Sequence, residues 1–408
     1  MTYNFDKTID RAGTGAVKLD LMPKLFGRSD LLPLWVADMD FETPAFIVDA
    51  LKARMEHPVF GYTLEPADYW PVVQRWIRDH HQWDVRTEWL SYVPGVVRGI
   101  GFAINALTAP GDRVIIQTPV YHPFRTTIEG NRRTVVLNPL KETQGETFYE
   151  MDFDHLESVI DGAKMLVLCN PHNPAGITWR RDTLRRLAHL CHDHGVIVIS
   201  DEIHADLALF GHRHTPFASV CREAEQISIT FQAPTKTFNI AGIVSSYAIV
   251  PNDDLRARLF GWMRVNELNE PNMFAPIATV AAFTQGETWR QEMLSYVEGN
   301  IRYVERFLQE HIPAIHAVRP EASFLVWLDC RGLYMDHDRL QDFFVNHARL
   351  ALNDGEMFDT AGDPNAPLHN AHSAGRGFMR LNVGCPRAVL EHAMAQLAEA
   401  CSQLPMPR

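Results

Sequence analysis

Several things are missing from this 408-residue chain, and each absence narrows what it can be. No C-x-x-C occurs, and the six cysteines (Cys169, Cys191, Cys221, Cys330, Cys385, Cys401) are scattered. That suits reduced thiols in a cytosol better than a disulfide framework. No run approaches the roughly 18 consecutive apolar residues of a membrane span. The opening M-T-Y-N-F-D-K-T-I-D-R has no apolar core of the kind a signal peptide needs. Positive charge is short as well: the formal net charge is −12 and no basic block stands out, which argues against a nucleic-acid surface. Repeats and low-complexity runs are absent too. What remains is an ordinary globular composition, 46% hydrophobic and 22% charged, long enough for two or three structural units. The expectation is a cytoplasmic globular protein.

The chain is organised around Ser228–Gly242, S-I-T-F-Q-A-P-T-K-T-F-N-I-A-G. An alternating apolar run (Ile227, Ile229, Phe231) reads as a strand leaving a core, and it breaks at Ala233-Pro234. Lys236 then stands between two threonines. A lysine at a loop tip is the ordinary reading, but a buried lysine loses affinity for its proton and becomes a nucleophile for carbonyls. Around this segment, short apolar runs alternate with amphipathic ones. Strands are expected at 112–117, 134–137, 165–169, 196–200 and 321–329. Helices are expected at 44–56, 66–81, 121–130, 153–162, 180–194, 252–265, 276–284, 288–310 and 387–403. That alternation predicts an α/β fold, a mostly parallel central sheet sandwiched by helices, with ligands at the carboxyl ends of the strands. The division expected is an N-terminal arm and small-domain segment (1–43), a large domain (44–287) and a smaller α+β C-terminal domain (288–408).

Chemistry-bearing residues fall where this scheme turns corners. Pro94-Gly95 turns the chain from a strand into a helix, where the free amides of Val96 and Val97 and the helix dipole make an anion site. The apolar run Val196–Ser200 ends in Asp201, an acid at the mouth of the sheet; Glu202 is read as structural. N-P-H-N-P-A-G, residues 170–176, is a fixed turn holding Asn173. Arg380 sits mid-strand in F-M-R-L-N-V-G-C-P, where a planar fork wants a carboxylate, either a substrate's or that of an Asp or Glu in the chain. Asp38 and Asp40 interrupt L-P-L-W-V-A-D-M-D-F (32–41), read as an edge strand with both acids facing water. His189, Cys191, His192 and His194 are metal-ligand types, but they sit at a helix C-terminus before Gly195, which suits dipole and cap. No metal is expected.

These motifs together resemble fold-type I pyridoxal-phosphate (PLP) enzymes, the class I/II aminotransferase superfamily, and within it the cystathionine β-lyase type of cysteine-S-conjugate lyase. The lysine segment, N-P-x-N-P-x-G and the arm D-R-x-G-T-x-x-V-K-x-D (Asp10 to Asp20) carry the likeness. The resemblance implies that Lys236 carries PLP and acts as general base. It implies that Val96, Val97 and Thr235 hold the phosphate, Asn173 the ring hydroxyl oxygen and Asp201 the ring nitrogen, with Tyr121 stacked on the ring and assisting proton transfer. It makes Arg380 the substrate α-carboxylate clamp and gives Trp35, Ala37 and Asp38 to the cleft wall. Tyr62 would cross a homodimer interface to the neighbouring phosphate. Two departures point to the lyase branch: His204 stands where aminotransferases carry Tyr, and Val244 where many carry an arginine. The implied activity is β-elimination from cystathionine-type amino acids. The alternatives are an aminotransferase, which needs a 2-oxo acid, and a PLP-fold protein with an additional regulatory role.

Overall fold

A computed structural model describes residues 2–143, 145, 147–359 and 373–404. Most of the expected loop 359–374 lies outside the described residues. Seven strands build the larger sheet: β1 (Leu90–Val93), β2 (Arg113–Ile116), β3 (Thr134–Leu137), β4 (Ala163–Cys169), β5 (Ile197–Asp201), β6 (Ser228–Gln232) and β7 (Ser246–Ile249). Their order is β1-β7-β6-β5-β4-β2-β3. Only β7 runs antiparallel to its neighbours; every other pair is parallel. β4 is buried along almost its whole length and β5 likewise, as continuous apolar runs covered on both faces require. Register aligns their carboxyl ends, with Cys169 opposite Asp201 and Asp201 opposite Phe231.

The helices follow their apolar spacing. α1 (Ala45–Met55) starts after Pro44, and α2 (Tyr69–His81) buries Tyr69, Val72, Val73, Trp76 and Ile77. α3 (Val96–Leu107) starts at Gly95, whose φ of 106° only glycine adopts at little cost. A Cβ at Gly99 would lie 2.6 Å from the Phe231 ring, so this glycine lets α3 press against the sheet. α4 (Arg181–Asp193) ends where Gly195 turns left-handed at φ 66°. α5 (Phe274–Gln285) precedes the 25-residue α6 (Glu287–His311).

Beyond α6 lies a four-stranded antiparallel sheet, β8 (His316–Val318), β9 (Leu325–Asp329), β10 (Asn353–Asp354) and β11 (Phe378–Asn382), ordered β8-β9-β11-β10. The expected strand 321–329 is shortened to β9. Ser323 takes a φ of 79°, and the amides of Glu321 and Ala322 bond the carbonyl of Gly176 instead of a strand partner. α7 (Arg387–Ser402) closes the fold. Residues 32–41 are not an edge strand: only Leu32–Pro33 pairs, parallel, with Leu350–Ala351, and the rest is an irregular ribbon. Among the described residues no helix is long and apolar enough to cross a membrane.

Candidate active site

The carboxyl ends of β4, β5 and β6 and the start of α3 enclose a cavity of about 300 Å³, lined by Ala37, Val96, Val97, Tyr121, Asn173, Asp201, His204, Thr235 and Lys236, among others. Nine residues singled out in the sequence therefore converge from segments up to 199 positions apart. Strand ends are where a parallel sheet leaves such room, because successive connections depart in different directions.

Lys236 follows β6 after the Ala233-Pro234 break; its side chain is half-buried, and desolvation in the cavity draws its amine down to about 8 from an ordinary 10.5. Desolvation is the main cause, the nearby Arg380 the next. The amine forms no salt bridge with any described carboxylate; its Nζ donates to the carbonyl of Ala37. Asp201, at the end of β5, is pushed up to about 7 by burial, relieved only in part by the Ile203 amide at 3.1 Å. Glu202, next in sequence, points elsewhere and is satisfied by His214 at 2.9 Å, Ser200, Gln232 and the Phe217 amide, a structural network as its sequence context suggests. His204 is buried, held down to about 3 by desolvation and the two cations, and its Nδ1 has no partner. Burial raises Tyr121 and, well above its usual range, the Cys169 thiol.

At one end of the cavity α3 starts with no side-chain cap, so the first amides of the helix have no intrahelical acceptor. Arg380, in β11, is buried behind the cavity lining and adjoins it through Asn173. Its NH1 donates to Asn173 Oδ1 at 2.9 Å; its NH2 donates to the Trp35 carbonyl at 3.0 Å and to Asn353 Oδ1. Its plane lies 4.9 Å from the Phe358 ring, and its Nε has no partner. No described Asp or Glu pairs with it. Dry burial pulls the guanidinium down to about 10.

Three expected site residues sit elsewhere. Trp35 packs its ring against Phe26, centroids 5.7 Å apart, because its indole N–H is committed to the Lys18 carbonyl; it offers the site only its own carbonyl. Asp38 does not line the cavity. Its carboxylate is taken by Arg11 at 2.6 Å and Lys18 at 2.9 Å. Tyr62 is fully exposed and lines a separate recess with Phe60 and Phe274, away from its own chain's cavity. Of the histidine-rich end of α4, Cys191 is buried in the core, while His189 lies near Cys221 and Glu223.

Sequence reasoning passed over Asn239, Asn353 and the arm cations. Asn239, three residues past the lysine, bonds the backbone of Met39 in both directions and the carbonyl of Phe41. Arg11 and Lys18 carried a usable signal: two cations in the arm matched two carboxylates too costly to leave unpaired in an apolar run.

The donor set fits PLP. Free amides at α3 suit a phosphate, a neutralisable amine suits an aldehyde, and a buried carboxyl lacking a cation suits a basic ring nitrogen. The architecture and this arrangement of lysine, acid and arginine define a fold-type I PLP enzyme. The chain belongs to the class I and II aminotransferase family, whose profile matches residues 30–397. It is 41% identical over 401 residues to cystathionine beta-lyase PatB of Bacillus subtilis, covering 98% of this chain and 100% of that one. Cystalysin from Treponema denticola, solved with a pyridoxal 5'-phosphate cofactor, superposes with a TM-score of 0.92 at 33% identity, covering 99% and 100% of the two chains. The PLP-bound C-S lyase from Staphylococcus hominis superposes at 0.86 and 29%, covering 98% and 99%.

Proposed function

We propose that this protein is a PLP-dependent carbon–sulfur lyase that cleaves cystathionine-type amino acids to a thiol, pyruvate and ammonia. The observation that carries it is the amine of Lys236, desolvated, in no salt bridge with a described carboxylate and facing the same cavity as Asp201. The relatives that are cystathionine and C-S lyases support the reaction class.

PLP, when bound, supplies an aldehyde for amines and an electron sink for a carbanion at the substrate Cα. The chain supplies the rest. The amides of Val96 and Val97 and the hydroxyl of Thr235 would hold the phosphate, Asn173 the ring hydroxyl oxygen, and Tyr121 the ring face. Asp201 would keep a proton on the ring nitrogen. Arg380, which has no counter-ion among the described residues, takes the substrate α-carboxylate. An amine that titrates near 8 is partly neutral at physiological pH, so Lys236 removes the Cα proton as general base. Loss of the thiolate from Cβ follows, the Tyr121 hydroxyl assisting its protonation, and water hydrolyses the released 2-aminoacrylate to pyruvate and ammonia.

The working unit is a homodimer in the cytosol. Val59, Phe60, Tyr62 and Leu64 form an exposed, largely apolar strip without a helix or strand of its own. A second copy covers this strip, and Tyr62 reaches the phosphate of the neighbouring site. The deciding assay incubates the purified protein with cystathionine alone. Pyruvate and thiol released without any 2-oxo acid support the lyase; turnover only when an oxo acid is added makes the chain an aminotransferase.

A further inference from the structure

The ribbon 35–41 is held on both sides of Ala37, whose carbonyl receives the Lys236 amine. Asn382 donates to the carbonyls of Val36 and Asp38 at 2.6 and 2.7 Å, and Asn239 fixes Met39. Arg380 holds the Trp35 carbonyl and the Asp40 amide bonds the carbonyl of Gly384. A further hold is ionic and comes from the arm. Lys18, buried, places its Nζ 2.9 Å from Asp38 Oδ1, 3.0 Å from Asp40 Oδ2 and 3.1 Å from the Asp38 carbonyl. Arg11, half-buried, reaches Asp38 Oδ2 at 2.6 Å and Asp40 Oδ1 at 2.7 Å. Two cations and two carboxylates thus close a balanced ring directly after Ala37.

We propose that Arg11 and Lys18 are positioning residues for the catalytic amine, forming with Asp38 and Asp40 a latch that fixes the Ala37 carbonyl against Nζ of Lys236. The proposal rests on the assignment of Lys236 above. A buried ion cluster gives little stability that an apolar cluster of the same volume would not, whereas it does fix geometry. One N–H donated to Ala37 sets the direction of the nitrogen lone pair, the orbital that must meet the substrate proton. The latch also sets the local field. Lys236 is faced by Arg380 from β11, by Asp201 and His204 at the end of β5, by Tyr121 and Cys169 across the cavity, and by Asp38 and Lys18 at the latch. Asp38 draws the proton onto the amine and Lys18 opposes it. Removing Lys18 leaves Arg11, Asp38 and Asp40 with one negative charge in excess beside the amine.

The test uses the holoenzyme and three variants: Lys18→Met, of similar volume; Arg11→Gln, at the more exposed and better tolerated position; and Lys18→Arg, which keeps the charge. Two quantities are read: the pH midpoint of the bound cofactor's lysine-linked absorbance band, and kcat separately from KM. Lys18→Met is expected to move the midpoint upward by about half a unit or more. Its kcat is expected to fall about tenfold to a hundredfold, as a displaced catalytic group does, with KM changed less than about twofold. Arg11→Gln follows in the same direction, and Lys18→Arg restores most of the midpoint. A wild-type midpoint and kcat in folded Arg11→Gln and Lys18→Met overturn the latch while the wild-type band stands. Absence of the band in the wild-type protein overturns the Lys236 assignment instead, and the latch's role with it.

Discussion

Arg380 NH1 and Asn173 Oδ1 are 2.9 Å apart although 207 residues separate them in the chain. One belongs to the antiparallel sheet and the other to the turn after β4, so this bond closes the site across two sheets. Among the described residues the guanidinium is hydrogen-bonded by amide and backbone oxygens and no carboxylate, which orient it without neutralising it.

An incoming carboxylate therefore meets a full positive charge in a preset plane. Arg380→Lys keeps the charge but loses the fork. KM for amino-acid substrates is expected to rise about tenfold to a hundredfold, the worth of one charge-assisted bond lost from a dry site. Steady-state thiol release gives the number, and an unchanged KM removes Arg380 from the clamp.

Asp201 makes the cofactor-free protein pH-sensitive. Its folded pKa of about 7 lies above the ordinary 3.8, so between these values the folded chain keeps a proton that the unfolded chain releases. Stability is then lost as pH rises from about 4 to 7, by on the order of a few kcal/mol. Asp201→Asn is expected to melt higher than the wild-type apoprotein at pH 8 and equally at pH 4, while losing turnover. Melting curves at both values check the sign.

The depressed pKa of Lys236 is open to measurement without any cofactor. Labelling of the apoprotein by an amine-selective reagent, followed residue by residue by mass spectrometry, is expected to show a midpoint near 8 at Lys236. Surface lysines titrate about two units higher. A midpoint near 10 would contradict the dry environment on which the base role depends.

Gly99 tests how closely α3 must lie on the sheet. The Cβ of Gly99→Ala would meet Phe231 at 2.6 Å and Val93 at 2.9 Å, and neither buried side chain has room to retreat. A loss of about 1–3 kcal/mol is expected from overpacking. Weaker PLP binding should accompany it, because the start of α3 moves with the helix; denaturant melts and cofactor titration report the two effects.

Much of this was legible beforehand. Lys236 and Asn173 each follow an apolar strand at a proline-marked turn, Asp201 ends one, and Val96 follows a glycine at a helix start; such local grammar survives without coordinates. Arg380 was legible because a charge in the middle of an apolar strand demands a reason. Side-chain direction in irregular backbone was not. Nothing in L-P-L-W-V-A-D-M-D-F says that Trp35 turns away to bond Lys18 or that Asp38 meets the arm, since no period governs a ribbon outside helix and sheet. Asn353 was equally hidden, as its partner Arg380 lies 27 residues on and across a strand pair. The exposure of Tyr62 could not be read from F-G-Y-T either.

The tether at Ala37 also has a pharmacological side. A small molecule that pried this ribbon loose would disturb the amine's acceptor and the Trp35 oxygen behind the arginine in a single stroke. It could silence the enzyme without resembling vitamin B6 or an amino acid, and so without competing for the many other proteins that recognise them.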